Sequence, residues 1–186
     1  SSMKEPLVIP GLARPHERTP RRALYSMIAV LLIAALLLEA VGRPRAGASI
    51  RALAGAVMLL WVWKIFRLPG ARDLLSYCLW TAGWMICVGL GASALLPTRG
   101  LVAYHFIFIG GFGLLTLGIG TRVVIRHGRH PIAAEGRALT AGVVGSLGLA
   151  LLARVCAELA PQAYLALLGA SGALWILAWI CWTRGA

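Results

Sequence analysis

The chain has 186 residues, of which 60% are hydrophobic and 13% charged, with a mean hydropathy of +0.83 and a formal net charge of +12. A soluble domain of this size is roughly half apolar and about a quarter charged, so soluble enzymes, nucleic-acid modules and disulfide-stapled secreted folds are set aside from the start. Twenty-two glycines and seven tryptophans suit membrane helices better than a water-soluble core.

In chain order, residues 1–22 are polar and basic and carry Pro6, Pro10, Pro15 and Pro20. They read as a flexible cytoplasmic tail, not a signal peptide. Six apolar stretches follow, at about 23–41, 50–66, 74–96, 101–125, 138–159 and 163–182. Each approaches or exceeds the ~20 residues that cross a bilayer core. The expected fold is all-α, a polytopic membrane protein with a six-transmembrane-helix bundle over residues 23–184.

The Lys and Arg residues sort by side of the membrane. Thirteen fall in the tail and in alternate loops (Lys4, Arg14, Arg18, Arg21, Arg22, Lys64, Arg67, Arg72, Arg122, Arg126, Arg129, Arg137, Arg184). The other side holds five: Arg43, Arg45, Arg51, Arg99 and the intrahelical Arg154. The positive-inside rule then places both termini in the cytoplasm, with the chain in a bacterial inner membrane. The basic balance is expected to face anionic lipid. Nucleic acid is not an expected partner, because no basic face alternates with exposed aromatics.

Ionisable groups at membrane depth are costly and usually functional. His105 lies about 6 Å into the fourth helix and Arg154 about 8 Å from the same edge of the fifth, at ~1.5 Å per residue. Glu158 follows Arg154 by four residues and shares its face, and Glu39 ends the first helix on that side. Two readings stand for these groups. Arg154 and Glu158 form a neutralising ion pair and His105 a hydrogen-bonded interfacial residue, or His105 is a haem or metal ligand. In the second reading Arg154 faces a haem propionate, and Glu39 or Glu158 relays protons or orients the imidazole.

The fourth helix holds Gly110, Gly111, Gly113, Gly118 and Gly120, and the fifth holds Gly142, Gly145 and Gly148. Glycine strips admit a close helix or a flat guest, and the two strips are candidates to face one another. His127 and His130 follow Arg122 and Arg126 at the cytoplasmic end, about 33 Å from His105 if helical throughout. They belong to a basic loop or to a second site. The tryptophans are read as interfacial anchors, and Cys78, Cys87, Cys156 and Cys181 as apolar packers. No HExxH, P-loop, Ser-His-Asp or dinucleotide pattern is present, nor an acidic cluster for a hard cation.

The stretch YHFIFIGGFGLLTLGIGTRVVIRHGRHP resembles the signature helix of the NnrS family, with His105, Gly110, Gly113, Thr116, Leu117, Thr121, Arg122 and His127 in matching order. WKIFRLPGARDLLSYCLWTAGWMICVGL and LLARVCAELAPQAYLALLGASGALWILAW resemble flanking helices of that family, with Arg154 and Trp175 in place. The loop reads RHGRH where the family has GHTGR, and the fourth helix lacks the family's methionines. The resemblance spans about residues 58 to 180 and fits the C-terminal half of a family of twelve-span proteins.

That resemblance implies haem, with copper a second candidate cofactor, and work in redox chemistry or haem handling linked to nitric oxide and nitrosative stress. By residue it implies His105 as axial ligand, Arg154 as propionate partner, and Arg122 and His127 as cytoplasmic-side anion or metal contacts. A different class of function is a structural or assembly subunit of a larger energy-transducing membrane complex. A third is a half-transporter that pairs with a second copy. Either calls for another membrane subunit or a second copy as partner.

Overall fold

The structure is a computed structural model that describes residues 21–71, 73–96, 100–129 and 141–185. The expected tail lies outside the described residues, apart from its last two positions, which are helical. The described residues are helical and contain no strand. Six helices are long and apolar enough to cross a membrane. They are α1 (Arg21–Ala40), α2 (Pro44–Val62), α3 (Leu74–Leu95), α4 (Gly100–His127), α5 (Ala141–Leu159) and α6 (Tyr164–Gly185).

Local sequence explains most of the boundaries. Gly42 takes a left-handed φ of +79°, and Arg43 N–H donates to the Leu38 carbonyl at 2.8 Å, so α1 stops and the chain reverses within three residues. Pro44 then sits in the first turn of α2, where its missing N–H costs nothing. The helix therefore begins six residues before the expected position 50 and ends at Val62 rather than 66. Its opening turns, PRAGAS, are too polar to register as an apolar span. Lys64, at φ 53°, turns the chain out of the helix. Asp73 caps α3 by accepting from Ser76 N–H at 2.7 Å. A short 3₁₀ turn at Pro161–Ala163 leads into α6.

The helices pack in sequence, each on the next, and α6 also reaches back to α4. α4 is the most buried span, and α1 and α6 the least. Exposed aliphatic residues such as Val30, Ile33, Leu36 and Leu37 on α1 and Leu165 and Ile176 on α6 form the outer surface, as expected for helices bathed in hydrocarbon. The core lies between α3, α4, α5 and α6, where Leu75, Cys78, Leu117, Val143, Leu147 and Ala178 are buried together.

The glycines of α4 make its central position workable. A Cβ at Gly110 would meet Met85, one at Gly111 would meet Ile86, and one at Gly118 would meet Leu75, all on α3. The same holds in reverse at Gly89 of α3, which lies against the backbone carbonyl of Ala103. The glycines of α5 do not answer those of α4. Cβ atoms at Gly145 and Gly148 would meet nothing within 4 Å, so that strip faces outward, beside the exposed Leu149 and Leu152.

Two stretches are π-helical, Val57–Val62 at the end of α2 and Phe106–Gly113 within α4. Such wide turns are rare and recur at functional sites. The second begins directly after His105 and contains three of the α4 glycines. Apolar periodicity does not reveal a change of helix pitch, so neither stretch was expected.

Three of the tryptophans also tie helices together. Trp80 and Trp84 both donate to the Ile65 carbonyl, at 2.6 and 3.1 Å, and tie the α2–α3 connection to α3. Trp182 Nε1 donates to Thr121 Oγ1 at 2.8 Å, joining α6 to α4, while Thr121 donates to the Leu117 carbonyl. Ser171 Oγ donates to the Ala150 carbonyl across α5 and α6. Trp61, by contrast, is well exposed. Indole N–H groups in an apolar medium need acceptors, and these helices supply them internally.

Gly89→Ala is expected to destabilise the bundle by ~1–3 kcal/mol, because the new methyl collides with backbone that cannot give way. Gly91→Ala, where a Cβ meets nothing within 4 Å, is the control and is expected to be neutral or slightly stabilising. Unfolding by denaturing detergent, titrated into mild-detergent micelles, measures both.

Candidate functional site

The antiparallel run of the helices brings Glu39, Arg51, Tyr104, His105, Arg154 and Glu158 to one end of the bundle. Two of these were not picked out as site candidates. Arg51 looked like a loop residue because α2 was placed too late. With Pro44 as the first helical residue, Arg51 lies about 10 Å along the helix, at ~1.5 Å per residue. Tyr104 carried no sequence signal beyond its place beside His105.

The polar layer divides into two parts. In the first, Arg51 Nη1 donates to Glu39 Oε1 at 2.5 Å and Arg51 Nη2 donates to Tyr104 OH at 3.2 Å. The Arg51 guanidinium also lies 5.9 Å from the Tyr104 ring centroid, within cation–π range. Gly47 permits this cluster, since a Cβ there would meet Glu39 and the Ala35 carbonyl. Among the described residues, the ion pair within 4 Å is this one, joining α1 to α2. Glu39 therefore serves Arg51 and does not line the cavity that holds His105.

In the second part, His105 of α4 and Arg154 of α5 line one cavity of about 470 Å³ between α4, α5 and α6. Phe108, Phe112, Trp175 and Trp179 form its aromatic walls. Gly113 lies against the Trp175 ring and fixes how near α6 approaches, while Gly172 presents open space. The cavity extends along α4 from His105 to Thr116, about 16 Å at ~1.5 Å per residue. The half-buried His105 Nδ1 and Arg154 Nε are buried atoms with no hydrogen-bond partner. Arg154 and Glu158 share a face but are not joined within 4 Å, and Glu158 does not line the cavity. Arg154 and Glu158 still bear electrostatically on the imidazole. Most buried side-chain polar atoms have a partner; here two that lack one belong to residues lining the same cavity.

At the opposite end, Arg122, Arg126 and His127 line a smaller cavity of about 240 Å³ with Leu75, Leu79 and other apolar residues. His127 is exposed, with Nδ1 3.0 Å from the Val123 carbonyl. His105 and His127 thus lie at the two ends of α4 and share no site. His130 and Arg137 lie outside the described residues. Among the described residues no three His, Cys, Asp or Glu side chains converge as a metal site. The features a haem would use are one imidazole, the Arg154 guanidinium with no carboxylate within 4 Å, and aromatic walls around a cavity within the ~300–1,000 Å³ range of cofactor and ligand sites.

The family model described as NnrS protein matches residues 6–185, a longer stretch than the quoted motifs covered. No curated protein and no solved structure matches this chain.

Arg154→Met is expected to raise the stability of the ligand-free protein by ~1–3 kcal/mol, because it removes a buried donor with no acceptor. The detergent-unfolding midpoint checks this. A fall of the same size would show that Arg154 is bonded within the bundle and not reserved for a guest.

Proposed function

The chain belongs to the NnrS family, and from that premise we propose that this multi-pass membrane protein holds a haem between α4, α5 and α6 and works in nitric-oxide-linked redox chemistry or haem handling. The observation that carries the reading is that His105 and Arg154, each with a buried nitrogen that has no hydrogen-bond partner, line one aromatic-walled cavity. His105, on the first turns of α4 beside the π-helical segment, would hold the iron through its imidazole. Arg154, with no carboxylate joined to it within 4 Å, pairs with a propionate. Phe108, Phe112, Trp175 and Trp179 would flank the macrocycle. When bound, haem supplies an iron centre for binding nitric oxide or passing single electrons. Arg122 and His127 serve as anion contacts at the far end of α4, next to lipid headgroups.

The orientation follows from the charge distribution. Both termini are in the cytoplasm of a bacterial cell, and the His105 layer faces outward. Reporter fusions at residue 42 and at residue 186 test this, with the first expected to be active outside the cell and the second inside. The opposite pattern would put the His105 layer at the cytoplasmic face.

One observation favours a second reading, in which the chain is an assembly subunit. The outward strip of Gly145 and Gly148 on α5 has nothing packed on it, and strips of small residues accept a neighbouring helix.

Protein purified from cells supplied with haem is expected to show a Soret band. His105→Ala should abolish or strongly weaken that band. Gly172→Phe should also suppress it by filling the cavity, without cost to folding, since a Cβ there meets nothing. A colourless wild-type protein that purifies only with a large membrane partner, and whose partnership is indifferent to His105→Ala, would select the second reading.

A further inference from the structure

A second cavity lies on the other side of α4. It is an open groove of about 490 Å³ between α1, α2, α3 and α4, and Phe108 and Phe112 line it as they line the first. The rings of Tyr104, Phe108 and Phe112 follow one another at centroid separations of 6.4 and 6.0 Å, so a ladder of aromatic rings separates the two cavities. The walls of the second are otherwise aliphatic, including Leu32, Met58 and Leu90. Its polar groups are Arg51 and the Tyr104 hydroxyl, together at one end.

The chemistry of that end selects the occupant. Tyr104 OH accepts from Arg51 Nη2, which leaves the phenolic proton free to donate. Arg51 is already neutralised by Glu39, so an incoming anion would gain little from the guanidinium and would face the carboxylate behind it. A neutral acceptor, such as a carbonyl, suits the site. The lining runs along α2 from Arg51 to Leu59, about 12 Å at ~1.5 Å per residue, which suits a hydrocarbon tail. The faces of Phe108 and Phe112 suit a flat ring better than a glycerol ester.

We propose that this cavity binds a lipid-soluble quinone, with a ring carbonyl accepting from Tyr104 OH, the ring against Phe108 and Phe112, and the tail between α1, α2 and α3. This inference shares Phe108 and Phe112 with the haem reading but uses neither His105 nor Arg154, so the two can fail separately.

The test uses the full chain in neutral detergent micelles and a decyl-substituted benzoquinone as probe, with an azido derivative for photolabelling. The wild type is expected to bind the probe saturably, at one site. Tyr104→Phe should weaken binding about tenfold, the value of one hydrogen bond. Leu32→Trp should abolish it by filling the cavity, and His105→Ala should leave it unchanged. Label is expected on α1, α2 or the first half of α4. Partition no greater than into empty micelles, indifference to both Tyr104→Phe and Leu32→Trp, label confined to other segments, or displacement of the probe by equimolar phosphatidylglycerol would each overturn the proposal. Photolabelling of the wild type decides the matter even if the substituted proteins fail to fold.

Discussion

The structure depends on the close approach of α3 and α4. Gly110, Gly111 and Gly118 of α4 lie under Met85, Ile86 and Leu75, and Gly89 of α3 lies against the backbone of Ala103. In hydrocarbon there is no hydrophobic force between helices, so association rests on van der Waals contact and on polar links between helices. Glycine lets two backbones come near enough for that contact to add up. With one face of α4 committed to α3, its remaining surface is left to form walls on either side. Phe108 and Phe112 border both cavities, and Thr121 receives the Trp182 indole from α6.

The polar layer at one end follows from the same solvent. A charge within a membrane span must be paired, bonded or reserved for a guest. Arg51 takes the first course with Glu39 and Tyr104, on the side of α1 and α2. Arg154 and His105 keep polar atoms without partners on the side of α5 and α6. Two cations at similar depth thus have different fates, and the difference assigns different chemistry to the two cavities. One keeps unpartnered nitrogens on His105 and Arg154, and on these the haem proposal rests. The other is already neutral and suits a neutral acceptor.

Particular elements show why some of this was legible beforehand and some was not. The ends of α1, α3 and α4 fell within two residues of expectation, because long apolar runs between charged loops have a single reading at membrane dimensions. The start of α2 was missed, since its first turns are as polar as a loop and only Pro44 marks them. That error concealed Arg51 as an intramembrane residue and left Glu39 free to be assigned to His105. The π-helical turns were invisible because both pitches can bury the same apolar residues. The tryptophans were taken for anchors because indole at a span's end looks the same whether it faces lipid or a carbonyl. Only the neighbouring helix settles which, as Ile65 does for Trp80 and Trp84.

By itself the amino-acid sequence determined the helical class, the number of spans, their antiparallel order and hence the end at which His105, Arg154, Glu158 and Glu39 gather, because hydrophobic length and connection order are properties of the chain alone. It also carried the family, through the residues around His105 and Arg122. The tertiary structure decided which polar groups meet. Whether Glu39 faces Arg51 or His105, and whether the glycines of α5 face α4 or lie open, depends on how each helix is rotated about its axis. That rotation is set by side-chain packing between helices, which sequence spacing along one helix does not contain.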